Sequence, residues 1–392
     1  MKWSTSMVFP ILKSNEFDEA LLSSSCKRKP DIGDDFIITC ENKVPPFMGK
    51  ILDELYGSLF SSIPHLEVHE SLRNADSYIA VKDNQVIAAL LFKHDQHEIA
   101  VINEVFRIGK DEIAKFAGYI FSTYGSVKKI VFNEISSDVE NLGYAVQRFP
   151  GTVYIIIALP PTEQAYTAML GKATRKNIKH HLSRLRRAFP SFVHEVQEAG
   201  NILEEDLLSV IEFNRMRMAE KHKIVHLSQE DIARIIRLAK RCGFISLIRI
   251  DGRVCAGAIC YQTGKTVTSH VNAHDPQYNQ FRLGTLSCYL AVCESIRREA
   301  KEFNLEWGGE EYKYALLGAD HPFERVLIYR SYMQMLSDTK NILQIRTSNR
   351  LRAAKMWLVN QSKKDSYFAK YLNSCIGMIK KKKYSHWLER RK

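Results

Sequence analysis

The sequence predicts an α/β protein made of two tandem copies of one unit, each a mixed, twisted sheet flanked by helices. Three observations carry this prediction. The same order of strand, tight turn, strand, strand, glycine turn, helix and strand occurs twice. A Phe-Arg-x-Gly tetrapeptide stands at the same place in both copies, at Phe106–Gly109 and at Phe281–Gly284. The offset between matching elements stays between 167 and 177 residues, as duplication of one unit would leave it.

In the first copy, Ser77–Lys82 and Gln85–Phe92 alternate around Asp83-Asn84 and read as a hairpin. In the second, Phe244–Ile250 and Arg253–Tyr261 do so around Asp251-Gly252. A third strand follows each, at Glu98–Val105 and Thr266–Ala273. The glycine turn then opens a helix whose apolar residues recur at helical spacing, Asp111–Tyr124 and Thr285–Phe303. Each helix leads into one more strand, Val127–Glu134 and Asn304–Trp307. Phe149-Pro150-Gly151 punctuates the chain and sets the expected domain boundary between 150 and 151. Helices are expected over Thr162–Leu170, Ala173–Phe189, Glu204–Lys223 and Ser228–Cys242, and a helical tail over 336–392.

At 392 residues, two or three domains are expected, and 45% apolar with 26% charged residues describes an ordinary globular chain. The formal charge of +12 is lopsided. From Arg350 onward there are 13 Lys and Arg against Asp365 and Glu389, so the excess is an appendage, unlike the spread footprint of a nucleic-acid-binding face. The eight cysteines form no CxxC and are expected as reduced thiols. No signal-type segment and no membrane-length apolar run is recognised, so a cytoplasmic location is expected.

Chemistry is expected at the glycine turns. A helix N-terminus presents free N–H groups and the positive end of the helix dipole, and a glycine lets a phosphate approach. After Gly109 come Lys110, Asp111 and Glu112, whose carboxylates occupy the anion's place. After Gly284 come Thr285, Leu286 and Ser287, which leave that place free. The second copy is therefore expected to bind a pyrophosphate and the first to repel one. His270 and His274 have metal-ligand spacing, as do His222 and His226, but neither pair has a third ligand by pattern, so no metal is expected.

The run from Ser269 to Gly318 resembles the GNAT superfamily, in particular the CelD/BioF-type acetyltransferases of bacterial polysaccharide loci, relatives of the Fem-type aminoacyl ligases. Ala273–Tyr278 and Leu283–Leu286 carry the resemblance, with Leu305–Glu310, then Tyr312-Lys313, and the basic helix around Arg175 and Asn177. It extends over about Val153–Arg330. The fold it implies is a tandem GNAT, and the donor it implies is an acyl-CoA such as acetyl-CoA, held by Arg282, Leu283, Gly284, Thr285 and Leu286. The common phosphate loop has Gln or Arg where Phe281 stands, so only backbone contact carries over. Direct transfer to an amine is implied, with no covalent enzyme intermediate. Such a site needs a base, an oxyanion donor and an acid for the thiolate.

Glu310 is the expected base, Lys313 the charge neutraliser and Tyr312 the acid; Glu310 and Glu311 cannot both face a cleft from extended chain. His270, His274, Asp275 and Glu311 are expected at the acceptor mouth. Arg175, Lys176 and Asn177 are expected to clamp an anionic acceptor, an amino sugar or another polysaccharide precursor, free or lipid-linked. The basic tail suits peripheral contact with an anionic membrane. Two alternatives remain: a Fem-like enzyme using aminoacyl-tRNA, and a non-catalytic nucleic-acid-binding or scaffold protein with this fold.

Overall fold

The computed structural model describes residues 26–30, 36–83, 85–139, 142–220 and 227–348. The first copy comprises β1 (Cys26–Pro30), β2 (Phe36–Cys40), α1 (Met48–Leu55), α2 (Ile63–Val68), β3 (Asp76–Lys82), β4 (Gln85–Asp95), β5 (Glu98–Val101), β6 (Phe106–Arg107), α3 (Lys110–Thr123), β7 (Lys129–Ser136) and β8 (Ala145–Ala158). The second comprises α4 (Glu163–Met169), α5 (Lys172–Ala188), β9 (Val193–Glu198), α6 (Glu204–Glu220), α7 (Gln229–Cys242), β10 (Gly243–Ile250), β11 (Arg253–Thr263) and β12 (Thr266–His274). It continues through a 3₁₀ turn at Pro276–Phe281, α8 (Leu283–Arg297), β13 (Glu302–Trp307), α9 (Glu311–Ala315) and β14 (Ala319–Tyr329). The described residues from Ser331 form a separate unit, which begins with α10 (Tyr332–Ser337), capped by the Ser331 hydroxyl.

The expected tandem of two sheets is one sheet in the structure. Its order is β1-β2-β3-β4-β5-β7-β14-β8-β13-β12-β11-β10-β9, with β6 pairing β7. The halves exchange strands at the centre. β8, which ends the first copy, lies against β13 of the second. β14, the last strand of the second, lies against β7 of the first. β8 and β14 pair with each other along most of their length, and the expected boundary at 150/151 falls inside β8. Pro150-Gly151 marks a register shift in that pairing rather than the end of an element. The described residues up to Arg330 form one compact unit.

Local chemistry sets the elements. Asp251 and Gly252 have φ of 52° and 75°, the left-handed pair that a two-residue hairpin turn between twisted strands requires. Ser228 and Asp231 form a reciprocal capping box that starts α7, and its Ile235, Leu238 and Ala239 are buried. The helix expected to reach Phe303 ends at Arg297, where the chain turns through Glu299 at φ 57° and enters β13. One face of the second half packs α4, α5 and α8 over Phe244, Ile248, Val267 and Phe303. The other packs α6 and α7, with Leu59 of the first half, over Ile245, Leu247, Ile259 and Val271. The first half repeats this arrangement, with α3 on one face and α1 and α2 on the other.

The expectation of reduced cysteines needs one correction. Cys26 and Cys40 stand opposite each other in the β1–β2 register and form a disulfide. Cys242, Cys255, Cys260, Cys288 and Cys293 are free, and all but Cys242 are buried. Among the described residues, no helix is long and apolar enough to cross a membrane. Lys380–Lys392 and the rest of the tail from 349 lie outside the described residues, as do Asn84, His222 and His226.

Candidate active site

The second half contains a gap between two parallel strands. β12 and β13 pair only at Thr266–Glu302, Val267–Phe303 and Thr268–Asn304, although both strands run on. Two bulges part them. The β11–β12 register shifts around His270, and the β13–β8 register shifts across Leu305 and Glu306, the latter in left-handed conformation at φ 55°. A bulge re-aims a side chain, and here both are aimed into the gap. His270 Nδ1 lies 2.7 Å from Glu306 Oε1 and bridges from one strand to the other.

Because a carboxylate only accepts, Nδ1 donates and the neutral ring keeps its lone pair on Nε2. Burial works against charge on His270, but the charge and hydrogen bond of Glu306 offset it and hold the pKa above the ordinary histidine value. About a third of the His270 side chain remains open (34% exposed), against 10% for Glu306.

The N-terminus of α8 lies beside the same end of β12. Asn272 Nδ2 donates to the Gly284 carbonyl at 2.9 Å, and a Cβ on Gly284 would stand 2.9 Å from His274 Nδ1. Arg282 is left-handed at φ 56°, and its carbonyl takes the N–H groups of Thr285 and Leu286. The N–H groups of Leu283 and Gly284 have no backbone partner among the described residues. Positive charge gathers here. Arg184 of α5 donates to the Gln280 carbonyl and lies over the Phe281 ring, while burial, His180, Arg282 and Arg184 push the His181 pKa down.

The expected catalytic trio is placed differently from the extended chain the sequence suggested. Glu310 is the N-cap of α9, so Glu310 and Glu311 belong to a helix start. Glu311 is exposed. Lys313 is 5% exposed, donates to the carbonyls of Leu305 and Trp307 at 2.8 Å each, and pairs with Glu310 at 3.4 Å. It therefore clamps the bulge that carries Glu306 and does not point at open cleft. Tyr312 packs against the α8 side of the core beside Asn272. Burial raises its pKa and keeps it a neutral phenol, a state that can donate a proton or a hydrogen bond.

Asp275 caps the 3₁₀ turn through Gln277 N, and His274 holds Asn279 at 2.8 Å, so both shape the loop before Arg282. Arg175, Lys176 and Asn177 are exposed on α5, and Arg175 is tied to the Ala168 carbonyl. No group of three or more metal-ligating side chains occurs among the described residues. Sequence reasoning missed Glu306 because its role depends on a bulge, which has no residue signature at that position. It also missed a cavity of ≈ 110 Å³ where the halves meet, lined in part by Ser58, Arg107, Thr266, Thr268, Glu302 and Asn304.

Residues 172–314 match the family described as the acetyltransferase (GNAT) domain. The crystal structure of FemX superposes with a TM-score of 0.52 at 11% identity, over 70% of this chain and 95% of that one. L-PGS from Bacillus licheniformis superposes at 0.45 and 12% identity, over 78% and 96%. A tandem GNAT protein from the clavulanic acid biosynthesis pathway gives 0.32 and 10%, over 64% and 82%. No curated protein sequence matches the chain. At these identities the likeness to FemX concerns the fold alone.

Proposed function

We propose that this chain, with a GNAT domain at 172–314 and the fold of FemX, is an N-acyltransferase that moves an acyl group from acyl-CoA to an amine. The observation that supports this most is the coincidence of an open gap between β12 and β13 with an α8 N-terminus at the same end whose first N–H groups have no backbone partner among the described residues. A thioester laid between the strands would have its pyrophosphate at the N–H groups of Leu283 and Gly284. Arg282, Thr285 and Leu286 complete that turn, and Arg184 and Arg282 supply positive charge. The groups present suit an anionic donor, and the thioester supplies the activated acyl carbon.

The protein's part is to hold that carbon where an amine can reach it and to manage protons. Tyr312, a buried phenol beside Asn272, is the proposed donor to the departing thiolate. Lys313 and Glu310 hold the β13 bulge in shape. His270, with His274, Asp275 and Glu311 on the surrounding loops, borders the acceptor side. The exposed Arg175, Lys176 and Asn177 would meet the anionic part of an acceptor such as an amino-sugar precursor, free or lipid-linked. We assign residues 1–150 a structural role without a donor of their own, 151–335 the active site, and the basic tail a contact with anionic membrane on the cytoplasmic side.

A second reading has one observation in its favour. α5 carries seven Lys and Arg and no Asp or Glu, and it packs beside the turn that precedes α8. An aminoacyl-tRNA donor would use such a helix. Native mass spectrometry of the purified protein separates the readings. A bound CoA species is the expected result. Co-purifying tRNA with steep salt dependence would replace acyl-CoA by the second donor, and an empty protein that ignores acetyl-CoA in calorimetry would overturn both.

A further inference from the structure

We infer that His270 and Glu306 form a general-base dyad set across the gap between β12 and β13, His270 Nε2 taking the proton from the acceptor ammonium and Glu306 orienting the ring; this rests on the acyl-transfer reading of the same gap. The geometry is built for the purpose. Bulges on two separate strands lie at His270 and at Leu305–Glu306, and the two side chains meet at 2.7 Å. The hydrogen bond to Nδ1 fixes the tautomer that leaves Nε2 as the acceptor. The ring is partly open, while its carboxylate partner is enclosed.

The neighbours of the dyad come from every packed element. His65 of α2 and His69 just after it lie near enough for His270 to push their pKa values down, and burial, followed by His69 and His270, lowers that of His65 to about 3, so it stays neutral. Tyr261 of β11 lies 5.6 Å from the His270 ring, and Tyr154 of β8 feels the Glu306 charge. The α6 residues buried on this face, Leu207, Val210 and Ile211, bring no charge. Glu306 is thus the countercharge that stabilises a protonated His270.

The protons and bonds balance. The acceptor ammonium gives one proton to Nε2 and becomes the nucleophile. A carbon–nitrogen bond forms to the acyl carbon, the carbon–sulfur bond breaks, and the thiolate takes a proton. The attacking nitrogen releases its second proton as the amide forms, so one net proton leaves to solvent.

The test measures acetyl-CoA cleavage with glucosamine and with water as acceptors, acetyl-CoA binding by calorimetry, and the titration of His270 by NMR. We expect His270→Gln to lower cleavage by about 100-fold or more, with binding unchanged within about twofold. Glu306→Gln should move both the acidic limb of the rate profile and the His270 midpoint to lower pH. Cleavage that survives His270→Gln, or a His270 midpoint that ignores Glu306→Gln, overturns the dyad. So does wild-type protein that binds acetyl-CoA and cleaves it with neither acceptor. Failure to bind acetyl-CoA at all would instead overturn the acyl-transfer reading, and the NMR midpoint would still decide whether Glu306 tunes His270.

Discussion

The two halves share a plan, and the second keeps open what the first has filled. In both, two parallel strands pair briefly and then part, β5 with β7 over three residues and β12 with β13 over three. In the first half the chain returns at once as β6 and pairs Phe106 and Arg107 with Ile135 and Ser136, which refills the gap. In the second half the corresponding stretch coils into the 3₁₀ turn and leaves it open. Both bulged strands carry a left-handed glutamate, Glu134 at φ 46° and Glu306 at φ 55°. Glu134 accepts from the Thr152 N–H and hydroxyl at 2.8 and 2.9 Å and so serves the fold. Glu306 accepts from His270 and faces the gap. The helix starts differ likewise. A side chain on Gly109 would collide with the Glu112 carboxylate, which folds over the N-terminus of α3, whereas only the His274 ring stands near Gly284. One duplicated frame thus holds a closed half and an open one.

The sharpest way to break this comparison is to close the open half. Gly284→Asp puts a carboxylate and a Cβ at the proposed phosphate turn and should weaken acetyl-CoA binding by about 100-fold or more, about 2.7 kcal/mol. Gly109→Asp, in a turn already covered by Glu112, should leave binding unchanged. Calorimetry showing equal losses in both would remove the distinction between the halves.

Lys313→Met tests whether the open gap needs its clamp. It strips the Leu305 and Trp307 carbonyls of a charged donor and leaves Glu310 without its countercharge. A loss of about 2–3 kcal/mol in unfolding free energy is expected. Turnover should fall while acetyl-CoA binding persists, because the bulge that presents Glu306 slackens. Unchanged denaturation midpoint and rate would make Lys313 a bystander. Glu134→Gln is the matching change in the closed half. It weakens two hydrogen bonds within the fold and should cost about 1 kcal/mol, with no effect on turnover. A rate defect there would show that the first half contributes to chemistry.

Much of this frame was legible in the sequence, because periodicity and turn residues report local structure. The hairpin at Asp251-Gly252 and the helix start after Gly109 are instances, α8 begins at Leu283, two residues ahead of the expected Thr285, and the contrast between Glu112 and Thr285 is visible in the residues themselves. Three things were not. The exchange of β8 and β14 depends on pairing between strands about 170 residues apart, and alternation within a strand does not name its partner. Lys313 reads as a neutraliser of substrate charge until the carbonyls of Leu305 and Trp307 are seen to surround it. His270 stood in a suggestive stretch, but its partner Glu306 lies 36 residues away across a gap made by two bulges.

The smallest effect concerns the seam where the halves meet. Asp53 of α1 lies against it, for a side chain on Gly264 of the second half would collide with the Asp53 carbonyl. Its carboxyl Oδ1 is buried without a hydrogen-bond partner among the described residues. Burial, then the neighbouring Glu54, raises its pKa from 3.8 to about 6. The native state therefore holds this proton more tightly than the unfolded chain. Stability from this group is full below pH 3.8 and declines as pH rises to about 6, beyond which the folded protein carries a poorly solvated charge. Asp53→Asn removes that charge and keeps the shape. Because the group is partly solvated, the gain should stay below about 1 kcal/mol, which is about 2 °C or less in Tm for a chain of this size. The gain should appear at pH 7 and vanish below pH 4. Equal melting temperatures for variant and wild type at pH 7 would mean that water reaches Asp53, and that the seam between the halves is looser than their shared sheet implies.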